Sequence, residues 1–487
     1  MTDTSGRRRR TKIVATLGPA VDAEGVLKRM IAAGVDVVRL NLSHGTHEEH
    51  RRRVTAVRAA AARLERDVGV LIDLQGPKIR IECFRDGAVD LHEGDTFILD
   101  CALDSDAGDS GRVGVTYKQL PHDVHPGDML VLADGEIVLE VREVDRQEVR
   151  CRVETGGRLS DHKGLNRRGG GLSAEALTQK DREDLLLAAD VDADFLAISF
   201  PRSAADVERA RELLNEAGSN AAVVAKIERA EAVENLDEII EASDAVMIAR
   251  GDLAVEIGDA PLPGVQKRIV RHARERNTVV ITATQMMESM VTSPTPTRAE
   301  VLDVANAVLD GTDAVMLSEE TAVGKHPVKV VEAMARVCLG AEAEPRVDQE
   351  RRADGDHFQR VDETISMAAM YVSRNLDVTA LVALTESGKT PLYMSRVRSG
   401  IPIYALTRHE RTRRLLTLYR GVYPIAFEDE HESDEVLPDV AATLLERGLV
   451  TNEALIIITR GKRRHVSGGT NSLHLVRVAD VLTGQAL

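Results

Sequence analysis

The sequence predicts an α/β chain: a (β/α)8 barrel of TIM type, with an inserted β-barrel lid domain and a C-terminal α/β domain. Three observations predict it. Short runs of Val, Ile, Leu and Ala recur eight times between residues 12 and 320. They are apolar throughout rather than alternating, as strands buried on both faces of a parallel sheet must be. Helix-like segments separate most of them. One interval, from Asp73 to Asp194, is too long for a single strand–helix unit and reads as antiparallel β structure. An open doubly wound sheet would share the alternation. Polar and charged residues at so many strand ends favour the barrel, where chemistry gathers at those ends.

The runs, in order, are KIVATLG (12–18), VDVVRLNLSHG (35–45), GVLIDLQG (69–76), DFLAISFPR (194–202), AVVAKIE (222–228), AVMIARGD (245–252), TVVITATQ (278–285) and AVMLSEE (314–320). Helical segments are expected at 23–33, 48–67, 178–189, 204–217, 229–242, 263–276, 298–309 and 327–339. Ser203 and Thr297 stand where an N-cap hydroxyl belongs. Residues 76–171 form the separate β module. LHEGDTFIL, GDMLVLADGEIVLEVREVD and EVRCRVETGG alternate, with Gly-Asp and Asp-Gly turns. A module inserted after the third strand, at the functional rim, is placed to act as a lid. Polar residues 341–356 then read as a connection. Beyond it, ALVALT (380–385), IPIYALT (401–407), VYPIAF (422–427), ALIIIT (454–459) and LHLVRV (473–478) are the strands of a smaller α/β domain. The expected division is 1–75 and 172–342 for the barrel, 76–171 for the lid and 343–487 for the C-terminal domain.

Composition narrows the function. The chain has 487 residues, 43% of them apolar, enough for one large core and a smaller one. Lys and Arg total 63 against 79 Asp and Glu, a net charge of −16 that disfavours nucleic acid and anionic membranes as partners. Aromatics are only 2%, with no Trp, so a base-stacking platform is excluded. No apolar run is long enough to span a membrane. The basic cluster Arg7 to Arg10 leads into a short strand and then Gly18-Pro19, not into a secretory core. Cys83, Cys101, Cys151 and Cys338 are far apart and read as reduced thiols of a cytoplasmic protein.

The strand ends carry Arg39, Asn41, Ser43, Asp73, Lys226, Glu228, Asp252, Thr284 and Glu320. Alternation sends Lys226 and Glu228 to one side. Alone they read equally as a buried ion pair. With Asp252 at the next strand end, Glu228 becomes half of a hard-oxygen pair suited to Mg²⁺ or Mn²⁺. Lys226 beside it can hold a transferring phosphoryl group or an enolate. Gly251 and Asp252 fall at a strand-to-helix junction, where free N–H groups bind carboxylate or phosphate. Arg39, Asn41 and Ser43 share one strand face.

These stretches together resemble one family. RLNLSHG (39–45), DLQGPKIR (73–80), KIE (226–228), ARGDL (249–253), TATQMMESM (282–290), PTRAEVLDVANAVLDGTDAVMLSEETAVGKHP (296–327) and TESGKT (385–390) are similar to pyruvate kinase, in order and over essentially the whole chain. The resemblance implies transfer of a phosphoryl group from phosphoenolpyruvate to ADP, giving pyruvate and ATP. It implies that Glu228 and Asp252 bind the divalent ion, Mg²⁺ or Mn²⁺, and that a second ion arrives with ADP. Lys226 and Arg39 would neutralise the phosphoryl group in flight. Thr284 would lie by the enolate, and with the Gly251 and Asp252 amides would hold the substrate carboxylate. Arg80 and Lys163 of the lid would serve nucleotide phosphates, with His44, Asn41 and the TLGP turn (16–19) shaping that site. A homotetramer is implied as well.

The departures from the family pattern are informative. Many relatives have DTKGPEIR, and use the equivalents of Asn41, Ser43, Asp73 and the carbonyl of residue 74 to hold K⁺. Here Leu74, Gln75 and Lys78 replace Thr, Lys and Glu. An ammonium carries the charge of K⁺, so Lys78 is expected to make K⁺ unnecessary. Glu319 stands where relatives carry a small residue, and Arg167 and Arg168 add charge that reads as solvated surface. In the C-terminal domain, Thr385, Ser387, Gly388, Lys389 and Thr390 follow a strand and resemble the family's effector pocket, with Lys462, Arg463 and Arg464 from a later loop. Activation by a phosphorylated metabolite is the expectation. A Mg²⁺-dependent lyase could use the same carboxylate pair but has no need of Arg80 and Lys163. A silent metabolite sensor would not need the full set of Lys226, Glu228, Asp252, Arg39 and Thr284.

Overall fold

The computed structural model describes residues 8–344, 358, 360–397, 399–428, 435–461 and 468–484. Eight parallel strands, Lys12–Thr16, Val37–Asn41, Gly69–Asp73, Phe195–Ile198, Ala222–Ile227, Ala245–Ala249, Val279–Ala283 and Ala314–Leu317, close into a barrel in chain order, the first pairing with the eighth. Two apolar clusters explain why these runs do not alternate. Ile13, Val38, Ile72, Val223, Ile248 and Leu317 face the surrounding helices. Val14, Val37, Leu71, Val224, Met247 and Ile281 fill the interior. Both faces are dry, so both are apolar.

A second regularity lies at the strand starts. An aspartate precedes each even-numbered strand: Asp36, Asp194, Asp244 and Asp313. Each carboxylate accepts the N–H of a residue at or next to the start of the preceding strand, from Ile13 (2.9 Å), Val70 (2.8 Å), Val223 (2.8 Å) and Val280 (3.0 Å). Each is also paired with an arginine: Arg9, Arg414, Arg211 and Arg396 respectively. These staples fix register at the barrel's base.

The eight expected helical segments are all present, one of them divided and short helices added. The segment 229–242 is split into Ala230–Glu234 and Leu236–Ala242. Asn235 caps both pieces, and its amide donates to the Arg202 carbonyl at 2.8 Å, which turns the chain there. A helix at Arg250–Ile257 directly follows the sixth strand. The Thr297 hydroxyl accepts the Glu300 N–H while Glu300 accepts the Thr297 N–H, a capping box.

The inserted module has a six-stranded sheet, in order Leu165–Arg167, Met129–Leu132, Ile137–Asp145, Glu148–Thr155, Thr96–Asp100 and Arg112–Gly114, and a pair, Ala88–Leu91 with Gly157–Ser160. They enclose one core around Phe97, Leu99, Leu139 and Val153. Its return to the barrel is tied down. Gly169 donates to the Glu256 carbonyl (2.8 Å), Gly171 to Glu231 (2.6 Å), and Arg229 to the Leu172 carbonyl (2.6 Å).

The C-terminal sheet runs Val422–Ala426, Ile403–Thr407, Ala380–Leu384, Leu455–Gly461 and Thr470–Arg477, with only the last strand antiparallel. Leu416, Leu418 and Tyr419 of this domain join the barrel's interior cluster and close its base. A Cβ on Gly69 would meet Thr417 Oγ1 at 2.8 Å and Phe195 at 3.0 Å, so the third strand must begin with glycine for the two domains to meet.

Candidate active site

The carboxyl ends of the barrel strands converge on one cleft. Alternation brings Arg39 up from the second strand and Lys226 from the fifth, both toward Asp73 at the end of the third. Arg39 Nε donates to Asp73 Oδ2 at 2.6 Å, and its Nη1 to Thr16 Oγ1 at 2.9 Å. Lys226 Nζ lies 2.9 Å from Glu228 Oε1, 3.4 Å from Asp73 Oδ1 and 2.8 Å from Ser199 Oγ. Asp73 and Glu228 are buried to within 1%. Burial alone would lower the Lys226 ammonium, but Asp73 and Glu228 outweigh it and push it up to about 12. Lys226 is therefore a fixed cation.

Burial raises the Glu228 carboxyl, Lys226 opposes that, and the charge of Asp252 adds to it. Both partners of the Lys226–Glu228 pair thus shift upward. For Glu228 burial is the first cause and the neighbouring carboxylates add to it, while Lys226 rises because Asp73 and Glu228 favour its charge; among these strand-end groups two cations, Arg39 and Lys226, stand with three carboxylates, Asp73, Glu228 and Asp252. A net-negative cleft repels a phosphate ester. A divalent ion, were it held by Glu228 and Asp252, would reverse the sign, and Mg²⁺ commonly uses only one or two carboxylates and completes its shell with water and substrate. Among the described residues no group of three or more His, Cys, Asp or Glu could hold a metal alone. Glu228 Oε2 accepts the Phe200 N–H at 2.9 Å, which leaves Oε1 toward Lys226.

Thr284 has φ of 68° and Gln285 of 53°, a left-handed turn at the end of the seventh strand. A β-branched residue adopts that region only under compulsion. The compulsion comes from Arg250. Its guanidinium donates to the carbonyls of Ala283 (3.1 Å) and Thr284 (2.6 Å) and to Asp303 Oδ1 (2.7 Å). Thr284 Oγ1 in turn accepts the Gly251 N–H at 2.9 Å. That amide is therefore engaged, where a free one was expected. Glu320 accepts the N–H groups of Met287 (3.1 Å) and Ser318 (2.6 Å), joining the loops after the seventh and eighth strands.

Two family models match the chain: "Pyruvate kinase, barrel domain" over residues 8–331 and "Pyruvate kinase, alpha/beta domain" over 363–476. The chain belongs to the pyruvate kinase family. It is 52% identical to "Pyruvate kinase II" of Salmonella typhimurium strain LT2 over 478 residues, 97% of this chain and 100% of that one. It is also 52% identical to "Pyruvate kinase" of Haemophilus influenzae over 461 residues, covering 94% and 96%. A Staphylococcus aureus pyruvate kinase is 40% identical over 486 residues, covering 98% of this chain and 82% of that one. Membership makes the chain a transferase with a divalent-metal requirement.

Against that family the remaining expected residues fall as follows. Arg80 Nη1 donates to the His162 carbonyl at 2.7 Å, holding the loop that carries Lys163 just before the Leu165–Arg167 strand. His44 is exposed at the rim, and Asn41 Oδ1 accepts the Ser43 N–H at 3.1 Å. The Leu74 carbonyl accepts from Ser199 Oγ at 2.7 Å. Lys78 is not within ion-pair distance of Asp73, whose ion-pair partners are Arg39 and Lys226. It lines the cleft between lid and barrel beside Asp134 and Asp252. Arg167 is not solvated surface: it is half-buried and paired with Asp128 at 2.9 Å. Arg168 and Glu319 are exposed.

In the C-terminal domain Gly388 has φ of 82° and donates to Thr385 Oγ1 at 2.9 Å, while Lys389 and Thr390 open the next helix. Thr390 is buried, its hydroxyl 2.7 Å from that of Thr470. Lys462, Arg463 and Arg464 lie outside the described residues. All four cysteines are free, and among the described residues no helix is long and apolar enough to cross a membrane. Sequence reasoning missed Arg250 and Ser199. Arg250 sits inside the ARGD motif and Ser199 at the end of the fourth run, so strand-end position alone would have found Ser199.

Proposed function

We propose that the chain transfers the phosphoryl group of phosphoenolpyruvate to ADP, forming pyruvate and ATP, and does so without K⁺. The observation that carries the reading is the Lys226 ammonium, fixed between Asp73 and Glu228 at a strand end, with Arg39 on the far oxygen of Asp73. The two cations converge where a phosphoryl group in transit concentrates its negative charge. Glu228 and Asp252 would hold Mg²⁺ or Mn²⁺, which supplies Lewis-acid polarisation of substrate oxygens. Arg39 draws charge from the phosphoryl oxygens. Lys226 stabilises the enolate oxygen as the bond to phosphorus breaks. The Asp252 N–H in the first turn of the Arg250–Ile257 helix would orient the substrate carboxylate with Thr284, whose Oγ1 takes the Gly251 N–H. Thr284 Oγ1, held on the Gly251 amide, is positioned to relay a proton to the enolate carbon through water. Arg80, Lys163, Asn41 and His44 would position the nucleotide phosphates, and lid closure excludes water.

K⁺ independence is supported by Lys78, a cation in the cleft where many relatives carry a carboxylate, and by Asp73 already facing two cations. Asn41, Ser43, Asp73 and Leu74 would form the vestige of the monovalent site. Regulation by a phosphorylated effector at Thr385, Ser387, Gly388, Lys389 and Thr390 is supported by the left-handed loop that opens the helix there. A homotetramer is supported by exposed apolar side chains on separate helices, Leu302 at 64% and Tyr371 at 71%. Free thiols fit a reducing cytoplasm.

The test is pyruvate formation from phosphoenolpyruvate and ADP with Mg²⁺, with K⁺ or tetramethylammonium as the balancing cation. Equal rates are expected. Strict K⁺ activation removes the role of Lys78 and keeps the reaction; no pyruvate under either condition, with candidate effectors added, overturns the reaction.

A further inference from the structure

The chain returns from the lid through Gly169, Gly170 and Gly171, with φ of 85°, 78° and 93°. Three consecutive left-handed residues make a turn that only glycine adopts without strain, and one about which the chain can rotate. The barrel grips this turn with two helices, Ala230–Glu234 and Arg250–Ile257, that open beside Glu228 and Asp252. Arg229 Nη2 donates at 2.6 Å to the carbonyl of Leu172, whose side chain packs in the lid core. The Glu256 carboxylate takes the Ala230 N–H at 2.9 Å and hydrogen-bonds to the side chain of Asn166, on the lid strand Leu165–Arg167. Glu231 Oε1 takes the Gly171 N–H at 2.6 Å and lies 3.4 Å from Arg229 Nη2.

This hinge is incompletely bonded. Arg229 and Glu256 are each 3% exposed, yet Arg229 Nε has no hydrogen-bond partner and stands 4.0 Å from Glu256 Oε1. Glu231 Oε2 is buried and unpartnered as well. A buried guanidinium N–H beside a carboxylate ordinarily closes on it, since nothing else compensates either group for lost water. What holds these two apart is the lid: Leu172 keeps the guanidinium and Asn166 keeps the carboxylate. A cavity of about 30 Å³, with all four residues in its lining, leaves room for the gap to close. A lid that rotates away about the glycines leaves behind one cation and one anion, and the two are complementary and already adjacent.

We propose that Arg229 and Glu256 are positioning residues for the lid, bonded to Leu172 and Asn166 while it is docked and to each other when it lifts. Both ends of the motion then leave the buried charges partnered, so the lid is balanced between them. The inference rests on the reaction proposed above only for its kinetic consequence. The lid carries Arg80 and Lys163, so its position sets how tightly nucleotide is held and how fast it leaves.

Two variants pull this balance in opposite directions. Glu256→Gln keeps an acceptor for Ala230 and a partner for Asn166 but loses the charge that Arg229 takes up on lifting, so it favours the docked lid. Asn166→Ala removes a docked contact and leaves Arg229 and Glu256 free to pair, so it favours the lifted lid. The test is hydrogen–deuterium exchange of the full chain without substrates, at pH 8, where the Glu256 carboxyl, raised to about 7, is mainly ionised. In the peptide over residues 165–173, exchange is expected to slow about tenfold in Glu256→Gln and to quicken about as much in Asn166→Ala, the factor that one charge-assisted hydrogen bond commands. Arg229→Gln, which keeps a donor for Leu172 without the charge, is expected to slow exchange too and serves if Glu256→Gln does not fold. In steady state, KM for ADP is expected to fall together with kcat in Glu256→Gln and to rise in Asn166→Ala, with KM for phosphoenolpyruvate little changed. Exchange that quickens in both variants marks a merely structural cluster and overturns the proposal. Exchange unchanged in both, or a KM for ADP that neither variant moves, overturns it equally. Opposite shifts in exchange with no pyruvate formed by any of the proteins would uphold the hinge and overturn the reaction instead.

Discussion

Thr284 and Lys226 illustrate two ways in which a single residue is held for chemistry. Thr284 is held by strain. Its left-handed backbone persists because Arg250 grips the carbonyls on both sides of the Ala283–Thr284 peptide link and is itself anchored on Asp303. Lysine at 250 can reach one carbonyl but cannot fork across two. Arg250→Lys is expected to lower kcat by about 10²-fold, the loss that a misplacement near 1 Å produces, with KM for ADP little changed. Steady-state kinetics with each substrate varied would check this; a variant at full kcat would show that Thr284 needs no clamp. Lys226 is held by charge. Lys226→Met is expected to lower kcat by about 10²–10³-fold, the scale of one lost transition-state contact. A thermal melt of the same variant separates that loss from the instability of leaving Asp73 and Glu228 buried without their cation.

At the scale of elements, the four aspartate staples share one design but differ in depth. The Asp313 side chain is 2% exposed and bonded to Arg396, itself 2% exposed, whereas Asp244 is 45% exposed and paired with Arg211 at 37%. Breaking a buried pair costs about 3–5 kcal/mol, and an exposed pair is worth about 0–1 kcal/mol. Urea midpoints should therefore fall sharply for Asp313→Asn and barely for Asp244→Asn; equal effects would mean that the shared N–H bond, not the arginine, sets the cost. The lid hinge carries a pH-dependent element. Burial raises the Glu256 carboxyl to about 7, against the Ala230 N–H and Arg229, with Glu231 adding to it. A raised folded pKa means the folded state favours the protonated form. Stability is highest below the ordinary carboxyl range and is lost as pH rises through 7. Glu256→Gln should gain Tm relative to wild type as pH goes from 5 to 8; a constant difference would refute it. The eight strands were legible because dry faces on both sides demand unbroken apolar runs. The Arg250–Ile257 helix was not, because its opening residues, Arg-Gly-Asp, carry chemistry rather than helical periodicity. The recurring Asp before VVRL, FLAI, AVMI and AVML is visible in the chain, but its partners come from 21 to 220 residues away. Lys78 was legible as a substitution and not as a position, since its ammonium depends on how the lid meets the barrel.

For the whole molecule, the question is whether barrel and C-terminal domain unfold as one. The base of the barrel is not sealed by its own side chains: Leu416, Leu418 and Tyr419 complete the interior cluster. Around that apolar plug several ion pairs cross the seam, Arg413 with Asp67 and Arg420 with Glu342 among them, and in two, Arg396 with Asp313 and Arg414 with Asp194, the aspartate is also the staple that fixes strand register. Removing the arginines therefore weakens the domain contact, strips Asp313 of its counter-ion and leaves Asp194 with Arg58 alone. An uncompensated buried carboxylate is the costly half of a broken pair. Arg396→Met with Arg414→Met should cost the barrel more than the C-terminal domain, which keeps its own core around Val382, Ile456 and Ile458. Scanning calorimetry of wild type should give a single transition across the two, and the double variant a barrel transition displaced below that of the C-terminal domain. If both domains of the variant still melt together, at a lower temperature, the apolar plug and the remaining pairs Arg413–Asp67 and Arg420–Glu342 suffice to couple them, and the two removed pairs serve only to set the register of the strands.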